Sequence, residues 1–239
     1  MVENCQRLCE LFQSDDSYAK RRQLDLVDKI FSMGQKGQNE LLSLLLDRYD
    51  YKNNQIDCVD GLIFELLSGS DDINIRNILE NRIGGTIIPL KSVMGIDYKP
   101  LQHLLVTKQF QEADQLTQLT LCTLAQASND HTRSWLYFTD IANMPAVDLF
   151  TVDRLWQVHS RGLFGLSIQR QIWLSTNSNW EKFWHKIGWK VNNANCRYPQ
   201  DFIWNITAPA GHLPLFNQLR GVQVLAALFE HPAWTDVMS

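Results

Sequence analysis

From Leu8 to Ile83 the apolar residues recur at helical intervals: Leu24, Val27 and Phe31, then Leu41, Leu42 and Leu45, then Val59, Leu62, Ile63 and Leu66, then Ile75, Ile78, Leu79 and Ile83. Together with the N-terminal segment the pattern predicts five short helices. The breaks between them carry stop signals: Gly34 and Gly37, the polar run 50–54, Gly69 with Ser70 and Asp71, and Gly84-Gly85. Short helices joined by polar turns predict a helical bundle of HEAT-like character, without a strict repeat period. The stretch 84–97 mixes glycines, a proline and apolar residues and reads as a connector. The expected domains are therefore 1–86, the helical bundle, and 87–239.

Beyond the connector the period remains helical. A short helix turns Leu101, Leu104 and Leu105 inward. A longer one turns Phe110, Ala113, Leu116, Thr117, Thr120 and Leu124 inward and ends near Asn129-Asp130. Pro145 opens a further helix, with Val152, Leu155, Trp156 and His159 on one face down to Gly162. Residues 201–206, DFIWNI, have a short strand-like flavour, and residues 191–200, VNNANCRYPQ, are expected to lack regular structure because Asn192, Asn193, Asn195 and Pro199 favour turns. Pro214 opens a last helix on which Asn217 and Arg220, three apart, share a face. The fold class is all-α.

Composition narrows the function classes. With 45% hydrophobic residues in 239, the chain is globular rather than disordered, and its net charge of −4 gives no global attraction to phosphate backbones, so no nucleic-acid partner is expected. No apolar run approaches the roughly 18 residues of a spanning helix. The acidic N-terminus is unlike a targeting peptide, which predicts a cytoplasmic protein. Five scattered cysteines fit reduced thiols, and no metal site is expected.

Phosphate-binding glycine loops, nucleophile elbows and zinc-protease motifs are absent, and no carboxylate pair or Ser/His/Asp grouping is legible, so the protein is not expected to be an enzyme. What the chain concentrates is aromatic and cationic character. Five of its eight tryptophans (Trp173, Trp180, Trp184, Trp189, Trp204) lie in residues 160–220, with seven basic residues and only Glu181 and Asp201 as acids. Such a surface suits a flat, apolar ligand with an anionic rim; the same composition also suits an aromatic core under a solvated face.

Several segments in order resemble the Genomes Uncoupled family of tetrapyrrole-binding proteins, regulators of magnesium chelatase. They are YKPLQHLLVTKQFQEADQLT from Tyr98, MPAVDLFTVDRLW around Pro145 and Asp148, SRGLFGLSIQRQIW from Ser160, IGW at Gly188-Trp189 and GHLP at 211–214. Ala146 and Leu166 depart from the family pattern without changing polarity. The resemblance implies an all-helical cupped porphyrin-binding domain after a cyanobacterial-type N-terminal helical bundle. It implies binding of protoporphyrin IX or magnesium protoporphyrin IX and stimulation of magnesium chelatase through its large porphyrin-binding subunit. It also implies a monomer with peripheral contact at thylakoid-type membranes. Phe164 and Leu166 would line or support the porphyrin face, with Phe138 and Ile141 on the same wall. Trp189 and Tyr198 would close over the macrocycle, and Asn217 and Arg220 would meet its polar rim. Asp148, Asp153, Trp156, Gly162, Gly165 and Gln169 are expected to be architecture. The competing reading is a helical-repeat adaptor without a small-molecule ligand.

Overall fold

Glycines and short polar side chains end and begin the helices of the first ninety residues. The computed structural model describes residues 2–12, 17–51, 56–128, 135–216 and 222–235, and the chain divides into two compact units, Met1–Pro89 and Leu90–Ser239. The first holds α1 (Val2–Leu11), α2 (Ser17–Phe31), α3 (Gln35–Tyr51), α4 (Cys58–Ser68) and α5 (Ile73–Ile83), the five helices the spacing predicts. Gly84 closes α5 at φ 70, a left-handed conformation that L side chains rarely adopt. Asp57 opens α4 with a capping box: it accepts the Val59 N–H at 2.7 Å, while Asp60 accepts the Asp57 N–H at 2.9 Å.

α4 is the centre of this unit and packs against α2, α3 and α5. It buries Val59, Leu62, Ile63, Phe64 and Leu67, the pattern of a helix enclosed on nearly all sides. One charged pair lies inside. Arg48 of α3 donates twice to the fully buried Asp60, at 2.5 Å from Nε and 2.8 Å from Nη2, and its guanidinium sits 3.7 Å from the Phe12 ring centroid. Lys20 of α2 reaches Asp57 at 2.7 Å. The cluster thus joins the end of α1 to α2, α3 and α4.

The second unit holds α6 (Lys99–Val106), α7 (Phe110–Ser128), α8 (Phe138–Ile141), α9 (Ala146–Val158), α10 (Leu166–Ser175), α11 (Trp180–Lys186) and α12 (Gln223–Glu230), with β1 (Lys190–Val191) and β2 (Ala194–Asn195) between α11 and α12. Its core is the triad of Phe110, Trp156 and Phe164, with ring centroids 5.5 to 6.3 Å apart. Trp156 keeps its indole N–H satisfied on Thr117 Oγ1 at 3.0 Å. A second aromatic cluster joins Trp173, Trp180, Phe183 and Phe229, with Trp180 stacked on Phe229 at 6.0 Å. Among the described residues no helix is long and apolar enough to cross a membrane.

The residues expected to be architecture are so used. Asp148, fully buried, accepts from Ser92 Oγ (2.5 Å), Val93 N–H (2.9 Å) and Tyr98 Oη (2.8 Å), fixing the segment that enters α6. Asp153 accepts the Ser167 N–H at the start of α10. Gly165 before it has φ 135, and a Cβ there would meet Asp153 Oδ1 at 2.7 Å, so no other residue fits.

Three local expectations are corrected. The segment 191–200 is not wholly irregular: β1 and β2 form an antiparallel hairpin, Val191 facing Ala194. Asn192 and Asn193 both sit at positive φ, 50 and 62, which suits a type I′ turn whose twist matches the strands. Residues 201–206 form no strand: Phe202 packs on Trp204 and His212, and the Trp204 indole N–H donates to the Pro199 carbonyl. Residues 214–216 are not helical and α12 begins at Gln223; Leu215 is instead bonded to α7, which withdraws its N–H and C=O from a helix ladder.

Asp60→Ala should lower the stability of the N-terminal unit by about 3 to 5 kcal/mol, because Arg48 would remain largely enclosed with only Asp57, 3.9 Å away and already paired with Lys20, as counter-charge. The midpoint of that unit's urea transition measures it. A loss below about 1 kcal/mol, the value of a surface pair, would show that solvent reaches Arg48.

Candidate ligand-binding face

α7 buries Phe110, Ala113, Thr117, Leu121 and Leu124 and turns Glu112, Gln115, Leu119 and Thr123 outward, at spacings of three and four. Leu119 is the exception on this polar stripe: it is 64% exposed in mid-helix. An isolated exposed leucine needs no explanation, but this one lies one turn beyond the residue that holds half-exposed Tyr198.

One turn before Leu119, Gln115 Nε2 donates to Tyr198 Oη at 3.1 Å. Tyr198 is 51% exposed and meets the edge of Trp204 at a centroid distance of 5.8 Å. At the same level Leu215 is gripped at both polar groups. Its N–H donates to Asp114 Oδ1 at 2.7 Å, and its carbonyl accepts from Gln118 Nε2. Beyond Leu119, α8 packs on α7. Burial and, second to it, the Asp140 carboxylate of α8 hold the Cys122 thiol above its usual range. Trp135, Tyr137 and Phe138, all part-exposed, lead into and start α8. The outward face of α7 therefore meets the Tyr198–Trp204 pair at Gln115, while α8 packs on the same helix near the buried Cys122.

The segment bearing Tyr198 and Trp204 has little secondary structure and is fixed from beneath. His212 Nδ1–H donates to the Ile187 carbonyl at 2.7 Å while Nε2 accepts the Ile203 N–H at 3.0 Å, which requires the neutral ring. Burial holds its pKa below the usual histidine value, against the Ile187 bond, which raises it. Trp189 Nε1 donates to the His212 carbonyl at 2.7 Å. Gln169 Nε2 donates to the carbonyls of Gly211 (3.0 Å) and Pro214 (2.7 Å). Asp114 is enclosed, and burial raises its carboxyl to about 7, the Leu215 N–H offsetting only part of this.

The residues selected from sequence separate into groups. Tyr198 and Phe138 (47% exposed) stand at the surface beside α7. Ile141, although on the same short helix as Phe138, is buried, as are Phe164, Leu166 and Trp189. Phe164 belongs to the core triad and Trp189 lies under the Tyr198 segment. Asn217 and Arg220 lie outside the described residues. Sequence reasoning missed Gln115, Leu119 and Trp204 on the exposed side, and Asp114 and Gln118 as the grip on Leu215. Leu119 carried a usable signal, a large apolar residue on the polar stripe of an amphipathic helix. The grip carried none, since Asp114 and Leu215 are 101 residues apart.

Comparison with known proteins agrees with this architecture. Residues 91–232 match the family described as GUN4-like, and residues 3–83 match an ARM-like repeat domain, GUN4-N terminal. The chain is 49% identical over 230 residues to the ycf53 protein of Pyropia yezoensis, covering 96% of this chain and 97% of that one. It is 35% identical over 143 residues to the tetrapyrrole-binding protein, chloroplastic, of Arabidopsis thaliana, covering 56% and 54% of the two chains. The solved structure of GUN4 from Chlamydomonas reinhardtii superposes with a TM-score of 0.56 at 38% identity, over 62% of this chain and 93% of that one.

Asp114 generates a pH-dependent prediction. An unfolded aspartate ionises near pH 4, whereas folded Asp114 keeps its proton to about 7. The folded state thus binds an extra proton between these values, and its stabilising contribution is lost as pH rises through about 7. Asp114→Asn retains an acceptor for the Leu215 N–H and cannot ionise. Its melting temperature relative to the unaltered protein should therefore climb from about pH 5 to about pH 8. A constant difference across that range would mean that Asp114 is ionised throughout.

Proposed function

The chain belongs to the GUN4-like family, and from that membership we propose that it binds protoporphyrin IX and magnesium protoporphyrin IX and, without catalysing a reaction itself, stimulates magnesium chelatase in chlorophyll biosynthesis. The structural observation that supports this reading is the outward face of α7, where Leu119 is exposed one turn beyond the Gln115–Tyr198 bond, with Trp204 against Tyr198. A macrocycle is flat, apolar and poorly soluble, and each Å² of apolar surface it covers contributes about 25 cal/mol before the costs of association. Tyr198 is held to α7 by a single exposed hydrogen bond to Gln115, so it can exchange that bond for contact with a ring face.

The anionic rim of a porphyrin needs cations. Arg197 is engaged by Asp201 and Lys190 by Glu181, and our candidate for a propionate is Arg220, held through the bidentate geometry of a guanidinium. Asn217, three residues before it in sequence, would meet a rim oxygen or sense the metal side of a metallated ring. The protein would act in the cytoplasm, as a monomer, and present the pigment to the large porphyrin-binding subunit of the chelatase, with peripheral contact at thylakoid-type membranes. The ARM-like match of residues 3–83 favours a second reading, an adaptor without a small-molecule ligand.

Titration of the purified protein with deuteroporphyrin should shift and sharpen the Soret band and quench tryptophan emission; a flat titration would select the adaptor reading. Arg220→Ala should weaken binding by about 1.5 to 3 kcal/mol, roughly 10- to 150-fold in Kd, with little change in melting temperature. Undiminished affinity would remove Arg220 from the site. A fragment beginning at Ile87 should keep the binding, because the α7 face and its flanking aromatics all lie in the second unit. If that fragment is folded by circular dichroism yet silent in the titration, the N-terminal helices take part.

A further inference from the structure

The N-terminal unit carries a cleft of about 200 Å³ lined by Arg7 of α1 and by Arg22, Asp25, Leu26 and Lys29 of α2. Its charge is out of character with its surroundings. Residues 1–89 contain ten basic and fifteen acidic residues, a net −5, yet this cleft gathers three cations and one carboxylate. Three other cations of the unit are engaged by carboxylates: Lys20 with Asp57, Arg48 with Asp60 and Arg82 with Asp50. Among the described residues Arg7, Arg22 and Lys29 are held in no ion pair, and Arg22 lies 5.7 Å from the centroid of the Tyr18 ring, itself 71% exposed.

We propose that this cleft is a docking site for an acidic peptide segment of a partner protein. The spacing of the cations favours a peptide. Arg22 and Lys29 are seven residues apart on one helix, two turns on the same face and about 10 Å along its axis. That exceeds the span of a single phosphate and matches about three residues of a polyproline-II-like chain, about 3.1 Å per residue, whose side chains return to one face every third position. Leu26 lies between them on the same stripe and Tyr18 extends it by one turn, so the peptide carries carboxylates about three positions apart with an apolar or aromatic side chain between. Asp25 repels a third consecutive carboxylate and selects against an uninterrupted acidic run. A polyphosphate chain would run on from the cleft over a surface of its own sign, which disfavours nucleic acid. Stacked helical repeats present elongated surfaces of this kind to peptides, and residues 3–83 match an ARM-like repeat domain.

Fluorescence anisotropy on the full chain tests the proposal with a labelled peptide carrying Glu at every third position and Leu between. It should bind, weaken with added salt, and lose about 10-fold or more in affinity on Arg22→Glu with Lys29→Glu, since like charges then face each other. Asp25→Asn should tighten binding, and the same peptide with Lys for Glu should not bind. An unchanged circular dichroism spectrum shows that the charge-reversed protein is folded. The proposal is overturned if the Glu peptide fails to bind, if the charge reversal leaves its affinity unaltered, or if inorganic phosphate or phosphatidylglycerol vesicles are bound in its place.

Discussion

Between Trp189 and Phe216 the chain forms no helix, and beyond a two-residue hairpin its backbone polar groups are satisfied by scattered backbone bonds, such as that from the Gly211 N–H to the Leu163 carbonyl, and by side chains from elsewhere. His212 takes the Ile187 carbonyl and the Ile203 N–H, Gln169 takes the carbonyls of Gly211 and Pro214, and Asp114 with Gln118 takes both polar groups of Leu215. These bonds replace the ladder of a helix or sheet, and most come from buried side chains whose unmet valences would each cost about 1 to 3 kcal/mol. The positions of Tyr198 and Trp204 beside α7 follow from them. So does the enclosure of Trp189, whose indole N–H donates to the carbonyl of His212 itself.

The same device holds the entry of the second unit. Asp148 gathers Ser92, the Val93 N–H and Tyr98, while Thr151 Oγ1 donates to the Lys91 carbonyl. An acceptor and a donor on α9, one turn apart, thus fix the chain before α6 starts. α9 also supplies Trp156 to the aromatic triad and Asp153 to the start of α10. Its buried acids, unusual for a helix interior, are the means by which one helix organises three neighbouring segments.

Much of this architecture was legible because helices announce themselves locally. Apolar spacing located α6, α7 and α9, and Gly84, Pro145 and Gly165 marked boundaries where the structure has them. The candidate face was less legible, for a physical reason. Exposure of Tyr198 and burial of Trp189, nine residues apart and both aromatic, depend on which remote carbonyls and N–H groups find partners. Residue type does not encode that. Phe164 and Trp156 are as hydrophobic as Phe138 and Trp204, yet the first two fill the core triad while the others remain part-exposed. The paired asparagines at 192 and 193 did carry their hairpin in the sequence, since two successive left-handed residues are what a I′ turn needs.

The arrangement also separates the elements that must be rigid from those free to respond. α7 is anchored along its inner face by Phe110, Thr117 and Leu121, so Gln115 and Leu119 are presented from a fixed platform. Tyr198 touches that platform through one exposed bond, while the backbone beneath it is tied down by His212. A ligand settling on Leu119, as proposed, would displace a side-chain contact rather than a packed segment among the described residues. The ordering cost of association is then confined to a few aromatic rotamers, each worth about 0.5 to 1.5 kcal/mol, and the scaffold contributes its preorganisation without being remade.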